Sequence, residues 1–363
     1  MSRPATLAQV AQAAGVSLGT ASNAFNRPEA VRPEVRSAVL AAAEELGYAG
    51  PDPVGRMLMG GKANVIAVLP PGDMSVSTAF QSPFFREFML GISQVCDEHG
   101  ASLVVLPGST DRKAWAITNA VVDGFILGHS EEVALVAGRR RKVPCVVMDM
   151  DAGPDVPTVA IAARDGARQA AAHLLSLGHR RFAIISVARR PRPPVLHRLS
   201  EISHLSAGYP LDEEKLAGYR EALSAAGIPL DCVVVGEVYP HPPWRTEGAA
   251  AVLDAAPDAT GVLAMSDRNA TAVLEVAAAR GRDVPRDLSV VGFDNAPEAA
   301  ISTPPLTTVA QPLVEKGQCA ARVLFGEADP VHTVLPVELV VRASSGPAGQ
   351  SSKALQSNKT AGA

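Results

Sequence analysis

Polar side chains stand at the ends of several apolar runs, a placement suited to holding a small, hydroxyl-rich molecule. Asp149 closes PCVVMD, Ser266 and Asp267 follow GVLAM, and Asp294 and Asn295 follow LSVVGF. Carboxylates accept hydrogen bonds, while amides and hydroxyls both donate and accept, so such a set can engage several sugar hydroxyls at once. Phe84, Tyr239 and Trp244 offer aromatic surface for an apolar ring face. Open parallel α/β sheets bind ligands outside the carboxyl ends of their strands, which makes these positions the natural candidates. Asp267 and Asp294 also suit the plainer role of helix caps.

Catalytic chemistry finds no comparable set. The sequence has no G-x-G-x-x-G after its first apolar run, no G-x-S-x-G elbow and no H-E-x-x-H. Gly60-Gly61-Lys62 lacks the spacing and the final Ser/Thr of a phosphate loop. The eight histidines are not grouped at metal-ligand spacing; His173 and His179, in HLLSLGH, read as a helix-end residue and a helix C-terminal cation. Cys96, Cys145, Cys232 and Cys319 are widely scattered, against both a disulfide framework and a zinc site. Neither enzyme activity, cofactor nor metal is expected.

The elements that would position the ligand residues begin near Asn64, where apolar strands start to alternate with amphipathic helices. Strands are expected at 65–70, 102–107, 124–128, 144–149, 181–186, 232–238, 261–266 and 288–294. Helices are expected at 84–99, 166–177, 216–226, 246–256 and 268–280. This alternation argues for parallel α/β units in two similar series. Residues 187–215 interrupt the second series with a basic, proline-rich stretch that reads first as a solvated surface loop; a lid or an extra pocket wall is the other reading.

Ahead of this lies a different pattern. Thr6 with Gln9 forms a capping box before Leu7, Val10, Ala11 and Ala14, Gly15 ends that helix, and Ser17 caps a second containing Ala21, Ala24 and Phe25. Pro33 opens a third with a Val35/Val39/Ala42/Leu46 stripe ending at Gly47. Spacing alone fits any small helical hairpin, but it also fits a helix-turn-helix, which would turn Leu18, Gly19, Thr20, Ser22 and Asn23 outward for the major groove. The charge signal is weak: residues 1–62 hold six cations and five anions, net +1.

At 363 residues and 47% hydrophobic content, the chain can bury more than one substantial core. The opening MSRPATLAQV has no apolar centre of a signal peptide and no run approaches a membrane span, so a cytoplasmic location without membrane contact is expected.

TLAQVAQAAGVSLGTASNAFNRPEAVRPEVRSAVLAAAEELGY, residues 6–48, resembles the lactose-repressor (LacI/GalR) family of bacterial transcription regulators. The resemblance extends over about residues 3–343, through ARDGARQAAAHLLSLGHRRFAII, LAGYREALSAAGI and VPRDLSVVGFDNAPEAAISTPPLTTVAQPLVEKGQCAARVL. It implies an all-α helix-turn-helix headpiece (1–48) and a hinge helix or linker (49–63). These precede a two-lobed core of parallel sheets (64–343), like periplasmic sugar-binding proteins, and a disordered polar tail (344–363). The N-lobe would comprise about 64–162 and 296–325, and the C-lobe about 163–295 and 326–343.

By the same resemblance the chain is a repressor-type regulator, a homodimer or homotetramer on pseudo-palindromic double-stranded operator DNA, controlled by a carbohydrate effector between the lobes. A small-molecule-binding module that does not bind DNA is the alternative. DNA contacts are expected from Thr6, Ser17, Leu18, Gly19, Thr20, Ser22, Asn23, Asn26 and Arg32, with Leu58 as a minor-groove wedge. Effector contacts are expected from Phe84, Asp149, Lys215, Tyr239, Ser266, Asp267, Asp294 and Gln311. The chain departs from the family at Lys215, where an arginine fork is usual, and at Ser266, where asparagine is common.

Overall fold

The computed structural model describes residues 5–50, 63–71, 74–108, 110–128, 143–150, 152–206, 209–328 and 332–349. Leu58, expected as a minor-groove wedge, lies outside them. Two compact units are present, Met1–Asn64 and Val65–Ala363.

The first unit contains α1 (Leu7–Ala13), α2 (Leu18–Asn26) and α3 (Pro33–Glu45). The Thr6 hydroxyl accepts from the Gln9 amide while Gln9 Oε1 accepts from Thr6 N at 2.8 Å, closing the capping box. Ser17 Oγ accepts from Thr20 N at 3.1 Å. Gly15, at φ +65, makes the left-handed turn between α1 and α2 that a side chain would disfavour. Val10, Ala11, Ala21, Ala24, Val39, Ala42 and Ala43 form the core, and Phe25 meets Tyr48 edge to face at 5.8 Å. Leu46, expected in the α3 stripe, is exposed because it is the C-cap, past the end of the helix, and Ala43 in the last turn is buried instead.

The second unit has two lobes. In the first, β1 (Val65–Leu69), α4 (Val76–Phe80), α5 (Pro83–Glu98), β2 (Ser102–Val105), α6 (Thr110–Asn119), β3 (Gly124–Gly128), β4 (Cys145–Met148) and β5 (Thr158–Ile161) follow one another. The chain then enters the second lobe through α7 (Ala163–Ser176), β6 (Phe182–Val187), β7 (Val195–Arg198), α8 (Pro210–Ala225) and β8 (Val234–Val238). It continues through α9 (Trp244–Ala255), β9 (Gly261–Ala264), α10 (Asp267–Ala279), β10 (Ser289–Asp294), α11 (Pro297–Ile301) and β11 (Thr307–Ala310). It returns to the first lobe with α12 (Leu313–Phe325) and β12 (His332–Leu335), and ends in the second with β13 (Glu338–Val340). The N-lobe sheet is parallel, in the order β12-β5-β4-β3-β1-β2. The C-lobe sheet runs β13-β11-β10-β9-β6-β8-β7, with both edge strands antiparallel. Because its interior strands are covered on both faces, they read as nearly unbroken apolar runs. Helices α5 and α12 cross so closely that a Cβ on Gly91 would stand 1.9 Å from Val314 O.

Two expected lobe assignments are corrected. Residues 296–310 belong to the C-lobe: Thr307–Ala310 pairs with β10 in parallel, and Ala299 is buried in the C-lobe core. Residues 332–335 belong to the N-lobe, paired with β5. The chain therefore changes lobe after β11, and its pairing partners, invisible in a local pattern, decide the assignment.

The 187–215 insertion is built into the fold, not a solvated loop. Val195–Arg198 adds a strand to β8, Leu199 and Leu205 are buried, and α8 begins at Pro210. Glu237 on β8, wholly buried, ties the segment down. It accepts from Ser206 N at 2.9 Å, Ser206 Oγ at 2.7 Å, Arg192 at 2.6 Å and His197 Nε2 at 2.9 Å. Burial alone would raise its carboxyl, but the Ser206 hydrogen bonds, His197 and Arg192 together hold it below the usual range.

Residues 344–349, expected in the disordered polar tail, are held against the C-lobe. Ser344 is buried, donating to Val290 O at 2.6 Å and accepting from Thr307 N at 2.8 Å, and Ala348 N donates to Leu177 O. His173 lies in the last turn of α7, as expected of a helix-end residue, whereas His179 bonds Thr260 Oγ1 and Gly346 O and burial lowers its pKa, against the expected C-terminal cation.

Candidate functional site

Two sites come from two kinds of element. In the headpiece, α2 presents Leu18, 55% exposed, with exposed Gly19 and Asn23 and half-buried Thr20 and Ser22. Its inward face is the small pair Ala21 and Ala24, which lets α2 seat closely on α1 and α3. Ser17 and Thr6 are occupied as caps, though both are exposed beside helix N-termini, where backbone N–H groups can meet phosphate. Asn26 donates to Ser22 Oγ at 3.2 Å, and Arg32 is exposed at the start of α3.

In the second unit a cavity of 300 Å³ opens between the lobes, lined by Met74, Ser82 and Phe84 from one lobe and by residues of α8, α9 and α10 from the other. Its floor is ionic. Asp212, in the first turn of α8, lies 3.2 Å from Lys215 Nζ, one turn on, and both are buried. Lys215 also donates to Met265 O at 2.8 Å and stands 4.3 Å above the Phe293 ring. Burial raises the Asp212 carboxyl against the opposing pull of Lys215.

Asp294 completes the floor at the end of β10, held at φ +119, a conformation few non-glycine residues adopt. Gln311 donates to its Oδ1 at 2.6 Å, and burial raises its carboxyl to about 6, moderated by Lys215 and Gln311. A carboxylate so placed favours a ligand that donates hydroxyl protons to it.

Asp267 has another task. Its carboxylate accepts from Ala296 N at 2.8 Å and from Thr308 Oγ1 at 2.5 Å, binding α10 to the segments on either side of α11. Gly292 makes room for it, since a Cβ there would be 2.3 Å from Oδ1. Burial, then the charge of Asp294, raises its carboxyl well above the usual range. The cap of α10 is Ser266, whose Oγ accepts from Asn269 N at 3.2 Å. Asp294 is not a cap either, because α11 starts at Pro297 with Ala296 before it.

Of the expected contacts, Phe84, Lys215, Tyr239, Ser266, Asp267 and Asp294 line the cavity. Asp149 does not: it forms a buried ion pair with Lys316 of α12, whose ammonium lies 5.7 Å from the Phe84 ring. Gln311 acts through Asp294, and Trp244 is off the wall.

The sequence reading missed the cationic side. His241, Arg245 and Arg268 line it, and Tyr239 stacks obliquely at 5.1 Å from His241. Burial, then Arg268 and Arg245, lowers His241 to about 4, so it is neutral at pH 7. Arg86 of α5 reaches across the mouth to Glu298 of the other lobe at 2.9 Å. His241 and Arg245 follow the end of β8 and Arg268 follows that of β9, so the strand-end rule, carried a few residues further, would have found them.

Comparison with known proteins accords with this architecture. Residues 6–50 match the description "Bacterial regulatory proteins, lacI family", and residues 171–345 match "Periplasmic binding protein-like domain". An HTH-type transcriptional regulator of Mycobacterium tuberculosis is 35% identical, over 95% of this chain and 98% of its own. The regulator CelR, solved as a cellobiose complex, superposes with a TM-score of 0.66 at 31% identity, covering 94% of this chain and 100% of CelR. The lac repressor dimer bound to operator and an anti-inducer gives 0.75 at 25% identity, covering 95% and 100%. The chain thus belongs to the lacI family of bacterial regulatory proteins and is a DNA-binding transcriptional regulator.

Proposed function

We propose that this regulator occupies a pseudo-palindromic operator as a dimer and is released or retained according to a carbohydrate bound between its core lobes. The observation that carries the reading is the set of polar groups Asp212, Lys215 and Asp294 lining one cavity with the aromatic side chains Phe84 and Tyr239. The solved relative that holds cellobiose supports a sugar or sugar derivative as the ligand class. Two-fold protein symmetry calls for a two-fold site, and α2 is the element placed to read it. Ser82 and Phe84 come from one lobe and Asp294 and Glu298 from the other, so a ligand touching both favours one degree of closure. Such coupling typically changes DNA affinity by roughly 5- to 150-fold. Among the described residues no helix is long and apolar enough to cross a membrane.

The test is titration of the operator complex with a carbohydrate panel, using wild type and Asp294→Asn. The wild type should shift its operator affinity with one class of sugar. D294N should keep its unliganded operator affinity and lose the shift. An equal response in both proteins removes Asp294 from the ligand site.

A further inference from the structure

Arg268 is a charged group on the cavity wall with no ion-pair partner among the described residues. Its Nη1 lies 3.1 Å from Nδ1 and 3.3 Å from Nε2 of His241, a neutral ring. Among the described residues no carboxylate lies within ion-pair distance of it. The neighbouring cations have carboxylate partners: Arg245 holds both oxygens of Glu275 at 2.8 Å, and Arg86 holds Glu298. Glu298 pulls on Arg268 from a distance, but that carboxylate is already paired with Arg86, so Arg268 keeps its charge without a partner of its own among the described residues. Burial, and then repulsion from Arg245, lowers the affinity of Arg268 for its proton, although a guanidinium stays charged at neutral pH. Half-buried charge of this kind is normally paired, because desolvation is otherwise uncompensated.

We infer that Arg268 receives an anionic group of the effector, so that the ligand is an acidic sugar derivative, a sugar phosphate or sugar acid, rather than a neutral sugar. This rests on the reading of the cavity as the effector site. The guanidinium fork matches the paired oxygens of a carboxylate or phosphate. The cavity is also lined by Asp212, Lys215 and Asp294, which suit hydroxyls. The ligand therefore lies with its hydroxyls on the ionic floor and its anion between Arg268 and Arg245. Tyr239, stacked on His241 beside them, covers its ring.

The test uses the full-length protein and two kinds of probe. Inorganic phosphate, compared with chloride at equal ionic strength, should raise the thermal midpoint of wild type and of the remote surface variant Arg286→Gln, and should not raise that of Arg268→Gln. R268Q itself should fold with an unchanged or higher midpoint, since it removes an unpaired charge. Arg268→Lys, which keeps the charge without the fork, should respond to phosphate weakly.

The second probe is a calorimetric panel of neutral hexoses, their 6-phosphates and the matching hexuronates. The ligands that bind should be anionic, with affinity falling roughly tenfold or more in R268Q. A preference for the 6-phosphate identifies a phosphate ligand, and the reverse a carboxylate. Two results overturn the inference: phosphate protection that is the same in R268Q as in wild type, or a neutral hexose that binds both proteins at least as tightly as its anionic partners. The second leaves the cavity as the effector site. Anion binding that depends on Arg268 but leaves operator affinity unchanged keeps the anion site and refutes the effector reading.

Discussion

Replacing Lys215 by methionine removes one charge from a buried pair while keeping the bulk of the side chain. Lys215 and Asp212 are each 2% exposed, 3.2 Å apart, and the ammonium also satisfies Met265 O at 2.8 Å. In the variant, Asp212 faces a dry neighbourhood without its partner, and breaking such a pair costs about 3–5 kcal/mol. A domain of ordinary stability holds about 5–15 kcal/mol, so the loss is a large share. With a urea m-value of about 2–3 kcal/mol/M, the midpoint should fall by about 1–2 M at pH 7. Trp244, on α9, reports the C-lobe by fluorescence. The double variant Asp212→Asn/Lys215→Met should recover at least half of the loss, because it leaves no unpaired charge. A K215M midpoint within about 0.3 M of wild type, roughly 1 kcal/mol at that slope, would refute the reasoning. So would a double variant no better than the single.

Gly292→Ala should lower the thermal midpoint, by about 1–3 kcal/mol in stability, because its Cβ meets Asp267 Oδ1 at 2.3 Å; an unchanged midpoint shows that Asp267 can yield. His241 is held below its ordinary value, so it favours the folded state while neutral. Its contribution is complete above about pH 6.5 and is lost as pH falls towards 4. His241→Gln should therefore lose less stability than wild type between pH 7 and 4.5, and parallel losses in denaturation curves count against this. Asp294 is held above its ordinary value, so a ligand that donates to its carboxylate should bind more weakly as pH drops below about 6. Calorimetric affinities at pH 7 and 5 decide this, and D294N should be flat. Exchanging Leu18, Gly19 or Asn23 should change the DNA sequence selected and leave the salt dependence of binding intact; a changed salt slope with the same sequence would place them on phosphate instead.

Local signals carried most of the architecture. Thr6, Ser17, Gly15 and Gly47 mark helix ends by chemistry that acts over three or four residues, and apolar runs mark the strands. What depends on distant pairing was not legible. Thr307–Ala310 lies in the C-lobe because it bonds to β10, and His332–Leu335 lies in the N-lobe because it bonds to β5. The insertion looked solvated because its arginines and prolines are polar or turn-forming, yet Arg192 and His197 point at a carboxylate, Glu237, some forty residues away. In the site, strand-end carboxylates were found, but their roles separate only in three dimensions. Asp294 faces the cavity, Asp267 staples helices and Asp149 pairs with Lys316. Asp212 was missed because it sits inside that insertion, and Arg268 because it stands two residues past the cap Ser266, beyond the strand-end positions considered.

The most direct test of the account is selection from random duplex DNA by the full-length protein, in parallel with residues 65–363. The account predicts that the full-length protein alone enriches a palindromic site, and that the ligand held over Asp294 changes its affinity for that site. Folded full-length protein that enriches no sequence at low salt, with the ligand and without it, would contradict it.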